Sequence, residues 1–219
     1  MKKIVVIHTT PVTIPTLKEL IEKELGDCEV ANLLDDSMLP EINAAGRMTE
    51  AVRYRLYSLL TLAGTMKPDA VLCACSSIGG LIDDGRCLLP VPVLRIDEPM
   101  AEKAVQAGNR IGVAATLQST LGPTCELIER KAKEAGKSVT ISSRVIEGAG
   151  VLLSAGDGAG YDALVSGELR ELAKENDVVV LAQASMARAA AGMTGEEKEK
   201  LLTSPESGVK ALAKRLENV

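Results

Sequence analysis

The residues best suited to chemistry lie in two short stretches that repeat each other. Asp69–Ser77 reads DAVLCACSS, and Asp177–Ser185 reads DVVVLAQAS. The second begins 108 residues after the first, about half the chain, and Asp, Val, Ala and the final Ser recur at matching places. Where the first copy has Cys75, the second has Gln183. A thiol at the end of an apolar run can serve as acid, base or nucleophile, the thiolate being the active form. An amide at the same place can bind a substrate but cannot abstract a proton.

Other apolar runs also end in small polar residues. Lys3–Ile7 runs into His8, Thr9 and Thr10, and Ala70–Ala74 into Cys75, Ser76 and Ser77. Arg110–Ala114 runs into Thr116 and then Ser119 and Thr120, and Val178–Leu181 into Gln183, Ala184 and Ser185. Ligands of open α/β sheets bind at these carboxyl ends of strands. The hydroxyls of Thr9, Ser76, Ser77, Thr116, Ser119, Thr120 and Ser185, with backbone N–H groups at helix starts, could hold a carboxylate. Ser119 or Thr120 could instead cap a helix. His8 is the only histidine. A lone histidine is more often structural, but at a strand end it could lower the pKa of Cys75 or act as an opposing base.

The remaining candidates have plainer readings. Cys73 is expected on the opposite face of its strand from Cys75, in the core. Cys28, Cys87 and Cys125 read as packing residues, and Asp35 and Asp36 as a turn or cap. Gly148–Gly160, GAGVLLSAGDGAG, lacks the Gly-Lys-Ser/Thr ending of a phosphate loop. It reads as a loop, with a flap over the site as the alternative. Cys73 and Cys75 are separated by one residue, not the two of zinc knuckles, and no metal site is expected.

These ends must be positioned by an alternating scaffold. Apolar runs predict strands at 3–7, 29–34, 70–74, 91–94, 110–114, 140–144 and 178–181. Helical spacing predicts helices at 16–25, 49–64, 100–106, 120–135, 161–175 and most of 196–219, with Thr49 as an N-cap. Strands alternating with helices imply parallel sheets, and continuous apolar strands imply sheets covered on both faces. The half-chain repeat then predicts an α/β fold of two pseudo-symmetric lobes, each a mainly parallel sheet flanked by helices. The expected lobes are 1–95 with 190–219, and 96–189, with the active site in the cleft between them.

Composition excludes several classes. The chain has 219 residues, no Trp, no Phe and three Tyr, so stacking platforms for single-stranded nucleic acid are absent. A net charge of −5 without a basic run disfavours a phosphate-backbone partner. No apolar run approaches the roughly 18 residues of a membrane helix. The apolar run after Lys2 and Lys3 is too short for a signal peptide, so a cytoplasmic protein with free thiols is expected.

At these motifs the sequence resembles the aspartate/glutamate/hydantoin racemase superfamily. Asp69–Ser77 is similar to that family's first cysteine strand and equates its catalytic thiol with Cys75. GVAATLQSTLGP, Gly112–Pro123, is similar to its middle motif. DVVVLAQAS aligns with the second cysteine strand and puts Gln183 in place of the second thiol. Ser185 stands where glutamate racemases have a histidine, His8-Thr9 where they have an acidic residue and serine, and Glu41-Ile42 where they have Tyr-Gly. The resemblance implies a racemase or isomerase that needs no pyridoxal phosphate or other cofactor. It would act at the carbon next to the carboxylate of a small acid or amino acid, and a homodimer is a further expectation. Catalysis would fall to Cys75, with Gln183 and His8 beside it. One-sided alternatives are a single-cysteine decarboxylase, lyase or cis–trans isomerase of a dicarboxylic acid. A carboxylate-binding protein without activity is the non-enzymatic alternative.

Overall fold

The computed structural model describes residues 1–217, so the last two positions expected in the terminal helix lie outside the described residues. In chain order the elements are β1 (Lys2–His8), α1 (Thr13–Leu25), β2 (Cys28–Leu34), α2 (Met38–Ala45), α3 (Glu50–Thr65), β3 (Ala70–Cys73), α4 (Gly79–Gly85) and β4 (Val93–Arg95). They continue with α5 (Glu98–Ala107), β5 (Arg110–Ala115), α6 (Gln118–Glu134), β6 (Thr140–Val145), α7 (Ala149–Ser154) and α8 (Gly158–Glu175). The chain ends with β7 (Val178–Leu181), α9 (Ala187–Ala191), α10 (Glu196–Glu199), β8 (Leu201–Leu202) and α11 (Ser204–Glu217). It divides into two units: Met1–Glu98 with the segment from Pro205 onward, and Pro99–Ser204.

Each unit holds one four-stranded parallel sheet with the same connectivity, β2-β1-β3-β4 in the first and β6-β5-β7-β8 in the second. The stretch 190–204, expected with the first unit, belongs to the second because Leu201 and Leu202 pair with Val179 and Val180. α11 belongs to the first unit, where Val209, Leu212 and Leu216 pack with Ile4, Val6, Ala70 and Leu72.

Alternation along the strands sorts the two faces. In β1, Ile4 and Val6 face α1 and α11, whereas Val5 and Ile7 join Val71 and Cys73 against α2, α3 and α4. In β7, Val178 and Val180 face α5 and α6, whereas Val179 and Leu181 join Ala114 and Tyr161 against α8 and α9. Both faces of each sheet are covered, as the unbroken apolar strands required.

The aspartates of the repeated stretch are structural pins. Asp69 accepts from Lys3 N at 2.6 Å, and its own N–H donates to Lys3 O at 2.8 Å. Asp177 accepts from Asn109 N and Arg110 N at 3.1 and 2.9 Å, while its N–H donates to Arg110 O at 2.9 Å. Each aspartate thus fixes the start of one strand against its neighbour and sets the register of the ends beyond. The Arg110 guanidinium and these N–H groups hold the Asp177 carboxyl down at about 2.

Several short elements differ from the sequence expectation. α2 follows Asp35, whose carboxylate accepts from Ser37 N at 3.0 Å, so the expected turn starts a helix. α4 contains Gly79 and Gly80, weak helix formers, and exists because Leu81 and Ile82 are buried against the core. α7 occupies the stretch read as a glycine loop, bracketed by Gly148 at φ +80° and Gly156 at φ +74°, where only glycine turns the chain without strain. Thr49 caps α3 as expected, accepting from Val52 N at 3.1 Å. Among the described residues no helix is long and apolar enough to cross a membrane.

Candidate active site

The first unit builds its candidate site where β3 ends. Ala74 N still donates to Ile7 O at 2.9 Å, and Cys75 follows in extended conformation, φ −134° and ψ 117°. A single 3-10 turn, Ser76–Ile78, then leads into α4. This abrupt strand-to-helix turn leaves the Cys75 side chain among donors. The Thr9 hydroxyl, the N–H groups of Ile78 and Ser77, and the Ser77 hydroxyl all address its sulfur. Burial nevertheless dominates and pushes the Cys75 thiol up. The lowering of its pKa that the sequence allowed for is not seen: the resting group is a neutral thiol whose anion has a prepared set of donors. The Thr9 Oγ1 is itself buried and has no conventional hydrogen-bond partner. It can donate to the Cys75 sulfur once the thiol ionises.

Cys73 is buried, as expected, but not on the opposite face. Residues two apart in a strand share a face, and Cys73 and Cys75 pack into the same cluster. Cys73 donates its S–H to the Cys75 carbonyl at 3.6 Å, and burial pushes its pKa far up. Cys28 and Cys125 are half-buried, whereas Cys87, read as a packing residue, is exposed.

His8 is the main displacement from the expected site. It lies one residue from Thr9 on β1 and so faces the other side of the sheet. It is fully buried, with Nδ1 2.7 Å from Thr13 Oγ1 and Nε2 2.9 Å from Asn32 Oδ1. Both ring nitrogens are occupied, and burial lowers its pKa. The geometry brings Thr9, Ser77 and Cys75 together and leaves His8 out.

Behind the Cys75 turn lies an ion network that the sequence reading missed. Arg95, at the end of β4 and 4% exposed, grips Asp97 through Nε and NH2 at 2.9 and 2.8 Å and reaches Asp83 at 2.6 Å. Its guanidinium lies flat against Gly79, where an added Cβ would sit 2.3 Å from Cζ. The one accessible signal was an arginine ending an apolar run, with acids nearby in sequence.

The second unit repeats the construction at the end of β7. Ala182 N donates to Ala114 O at 2.9 Å, Gln183 is extended at φ −132° and ψ 138°, and a 3-10 turn, Ala184–Met186, leads into α9. Gln183 Oε1 accepts from Thr116 N at 2.6 Å and from Thr116 Oγ1 at 2.9 Å. Thr116 thus stands to Gln183 as Thr9 stands to Cys75, on the neighbouring central strand and the same face. Ala184 contributes backbone only, its carbonyl accepting from Ala187 N. Ser119 and Thr120 lie in the first turn of α6 rather than at its cap, which is Leu117. The Ser119 hydroxyl oxygen is buried without a partner.

Two further residues lie at this end of the second unit's sheet. Tyr161, fully buried in the first turn of α8, donates to Ser185 Oγ at 3.4 Å and also addresses Thr116. Arg188 on α9 lies over the Tyr161 ring at 5.8 Å and is tied to Asp162 at 3.0 Å. Sequence periodicity marked Tyr161 only as a helix start. A depression of about 450 Å³ lined by Ala173, Lys174, Glu196, Glu197 and Lys200 lies where α8 ends and β7 begins, the opposite end of the sheet from Gln183.

The profile of the Asp/Glu/hydantoin racemase family matches residues 3–212. The chain belongs to that family. Three solved structures show the shared fold. Glutamate racemase RacE1 of Bacillus anthracis superposes with a TM-score of 0.78 at 19% identity, covering 99% of this chain and 82% of that one. The aspartate racemase of Picrophilus torridus gives 0.70 at 14% identity, covering 99% and 95%. The allantoin racemase of Klebsiella pneumoniae gives 0.65 at 18% identity, covering 100% and 88%. No curated protein matches the sequence. Gln183, which the internal repeat equates with Cys75, carries no ionisable acid or base. Membership supports a racemase-type enzyme.

Proposed function

We propose that the chain is a cofactor-independent racemase- or isomerase-type enzyme acting at the carbon next to a carboxylate, with Cys75 as the thiol acid or base. The observation that carries this reading is the set of four donors around the Cys75 sulfur. A thiolate formed there is met by the Thr9 and Ser77 hydroxyls and by two N–H groups, so the anion is stabilised when it forms and not at rest. That is the differential stabilisation a proton-transfer step needs. As a base, Cys75 takes the proton from the α-carbon and the electron pair moves into the carboxyl group, giving an enediolate. As an acid, the neutral thiol returns a proton to that carbon. Ser76, next to Cys75 in the chain, supplies a further hydroxyl; in the second unit Gln183 offers its amide, and Thr116, Ser119, Thr120 and Ser185 their hydroxyls, as candidate carboxylate binders.

A one-sided reaction is the second reading, and the neutral resting thiol favours it. A protonated Cys75 is ready to protonate an enediolate left by loss of carbon dioxide, and Gln183 offers no proton from elsewhere. The pH dependence of turnover separates the two. A base must first ionise, so activity rises toward the thiol's elevated pKa; an acid loses activity as pH rises through it.

The test is alkylation by iodoacetamide with peptide mapping, repeated with small carboxylic acids present. Protection of Cys75 by an acid, together with loss of turnover in Cys75→Ala, supports the proposal. Labelling of Cys75 that no acid alters would refute it.

A further inference from the structure

We propose that Arg95 is a positioning residue for Cys75: it holds in place the backbone donors that meet the Cys75 thiolate. The inference rests on the racemase-type reading of Cys75 and adds a residue to that site, within the first unit alone.

Arg95 fastens the Cys75 turn at both ends. As the last residue of β4 it pairs with Cys73, the last residue of β3, and Ile96 N donates to Cys73 O at 3.0 Å. Its side chain meets the other end of the turn, where the guanidinium lies flat against Gly79, the first residue of α4. Residues 74–78 are strung between these two points. They carry Cys75 and the Ser77 and Ile78 N–H groups that address its sulfur. Gly79 N closes the 3-10 turn by donating to Ser76 O. Arg95 NH1 reaches on to Asp83 at 2.6 Å, so α4 is held at its start and again one turn later.

The guanidinium is itself fixed. Nε and NH2 grip Asp97 at 2.9 and 2.8 Å, and both residues are buried. A planar fork makes the contacts with Asp97, Asp83 and Gly79 at once; the point charge of a lysine cannot. Stability alone is a weak reason for such a group, because well-packed apolar residues often replace a buried ion pair without loss. Fixed donors supply preorganisation instead. N–H groups already aimed at the sulfur need no rearrangement when the thiol ionises.

The internal repeat provides the comparison. Its 108-residue offset extends to the fourth strand of each sheet, Leu72 pairing with Leu94 as Val180 pairs with Leu202. On that offset Arg95, Asp97, Gly79 and Asp83 correspond to Thr203, Pro205, Ala187 and Ala191. All four members of the brace are replaced in the repeat that carries Gln183. Yet the Gln183 turn has the same form, an extended residue followed by a 3-10 turn. The turn therefore forms without such a brace, and the brace accompanies the thiol.

The experiment is iodoacetamide labelling of the whole chain across a pH series, well below the melting transition, with peptide mapping of Cys75 and Cys73. Buried Cys73 reports opening of the fold. The variants are Arg95→Lys and Asp83→Ala. The control is Asp84→Asn, at an exposed position on the same helix, 3.7 Å from Arg53. In Arg95→Lys the Cys75 curve should move to higher pH. Labelling at a fixed pH should slow about fivefold, the effect of one donor lost to the anion. Asp83→Ala should move the curve in the same direction, Asp84→Asn should match the wild type, and Cys73 should stay unlabelled. If Arg95→Lys does not melt cooperatively, Asp83→Ala decides. A curve that stays in place or moves to lower pH would overturn the inference. So would an equal shift in Asp84→Asn, or labelling of Cys73 as fast as Cys75, which would make Arg95 a support of the fold alone. None of these outcomes touches the racemase-type reading, which fails separately if Cys75→Ala keeps its turnover.

Discussion

Replacing Gly79 by alanine should disturb the Cys75 turn from behind. The new Cβ would lie 2.3 Å from Arg95 Cζ, 2.4 Å from its NH2 and 2.6 Å from its Nε, closer than non-bonded atoms approach. A flexible side chain could move aside, but Arg95 is held by Asp97 at 2.9 and 2.8 Å and by Asp83 at 2.6 Å. Displacing the guanidinium strips its partner from Asp97, which is 1% exposed. Overpacking alone costs about 1–3 kcal/mol, and leaving one member of a buried pair uncompensated costs about 3–5 kcal/mol. Partial relaxation brings the expected loss to about 3 kcal/mol, or about 6–12 °C in Tm for a chain of this length. Gly80→Ala is the control. Nothing lies within 4 Å of its added Cβ, so the variant should be neutral or stabilised by up to about 1 kcal/mol. Thermal and urea unfolding of both variants decide the matter. Equal stability of the two would refute the claim that Arg95 is wedged against the α4 start.

Other outcomes follow from the same geometry. Burial lowers the pKa of His8 from 6.5, so the unfolded chain takes up a proton before the folded one does. Stability should therefore fall as pH drops below about 6.5, and urea midpoints at successive pH values should show a slope that His8→Asn flattens. Thr9→Val removes a donor that favours the Cys75 thiolate; its alkylation curve should shift to higher pH than the wild-type curve, which itself keeps rising above the free-thiol range of about 8.5. Asp177→Asn should lower Tm at neutral pH. In the wild type the depressed Asp177 carboxyl gives stability that is present above its ordinary pKa of 3.8 and lost as pH falls through about 2, measurable by acid titration of the melting transition.

What the sequence made legible is what strand periodicity and the repeat control. Cys75 and Gln183 were equated from letters alone, and the backbone gives both the same extended conformation before a 3-10 turn. The two-sheet architecture followed from continuous apolar strands. Side-chain direction was harder. His8 seemed near Cys75 because both end strands, yet a single step along β1 sends it to the face shared with Ile4 and Val6, where Thr13 and Asn32 hold it. Cys73 and Cys75, two steps apart, share the face on which the sequence reading separated them. The sign of the Cys75 pKa shift depends on burial contributed by residues distant in sequence, and no local motif reports it. Tyr161 and Arg95 were missed for a related reason. Each acts through contacts with segments far along the chain, Tyr161 with Ser185 and Arg95 with the Gly79 backbone.

The central claim is that Cys75 moves the proton at the α-carbon. The direct measurement is hydrogen–deuterium exchange at that carbon, followed by NMR in deuterated water for wild type and Cys75→Ala, with the acid that protects Cys75. The account predicts exchange by the wild type and a loss of about 100- to 10,000-fold in the variant, the range for removing a positioned acid–base group, with the Tm unchanged. Exchange at the wild-type rate in Cys75→Ala would contradict it.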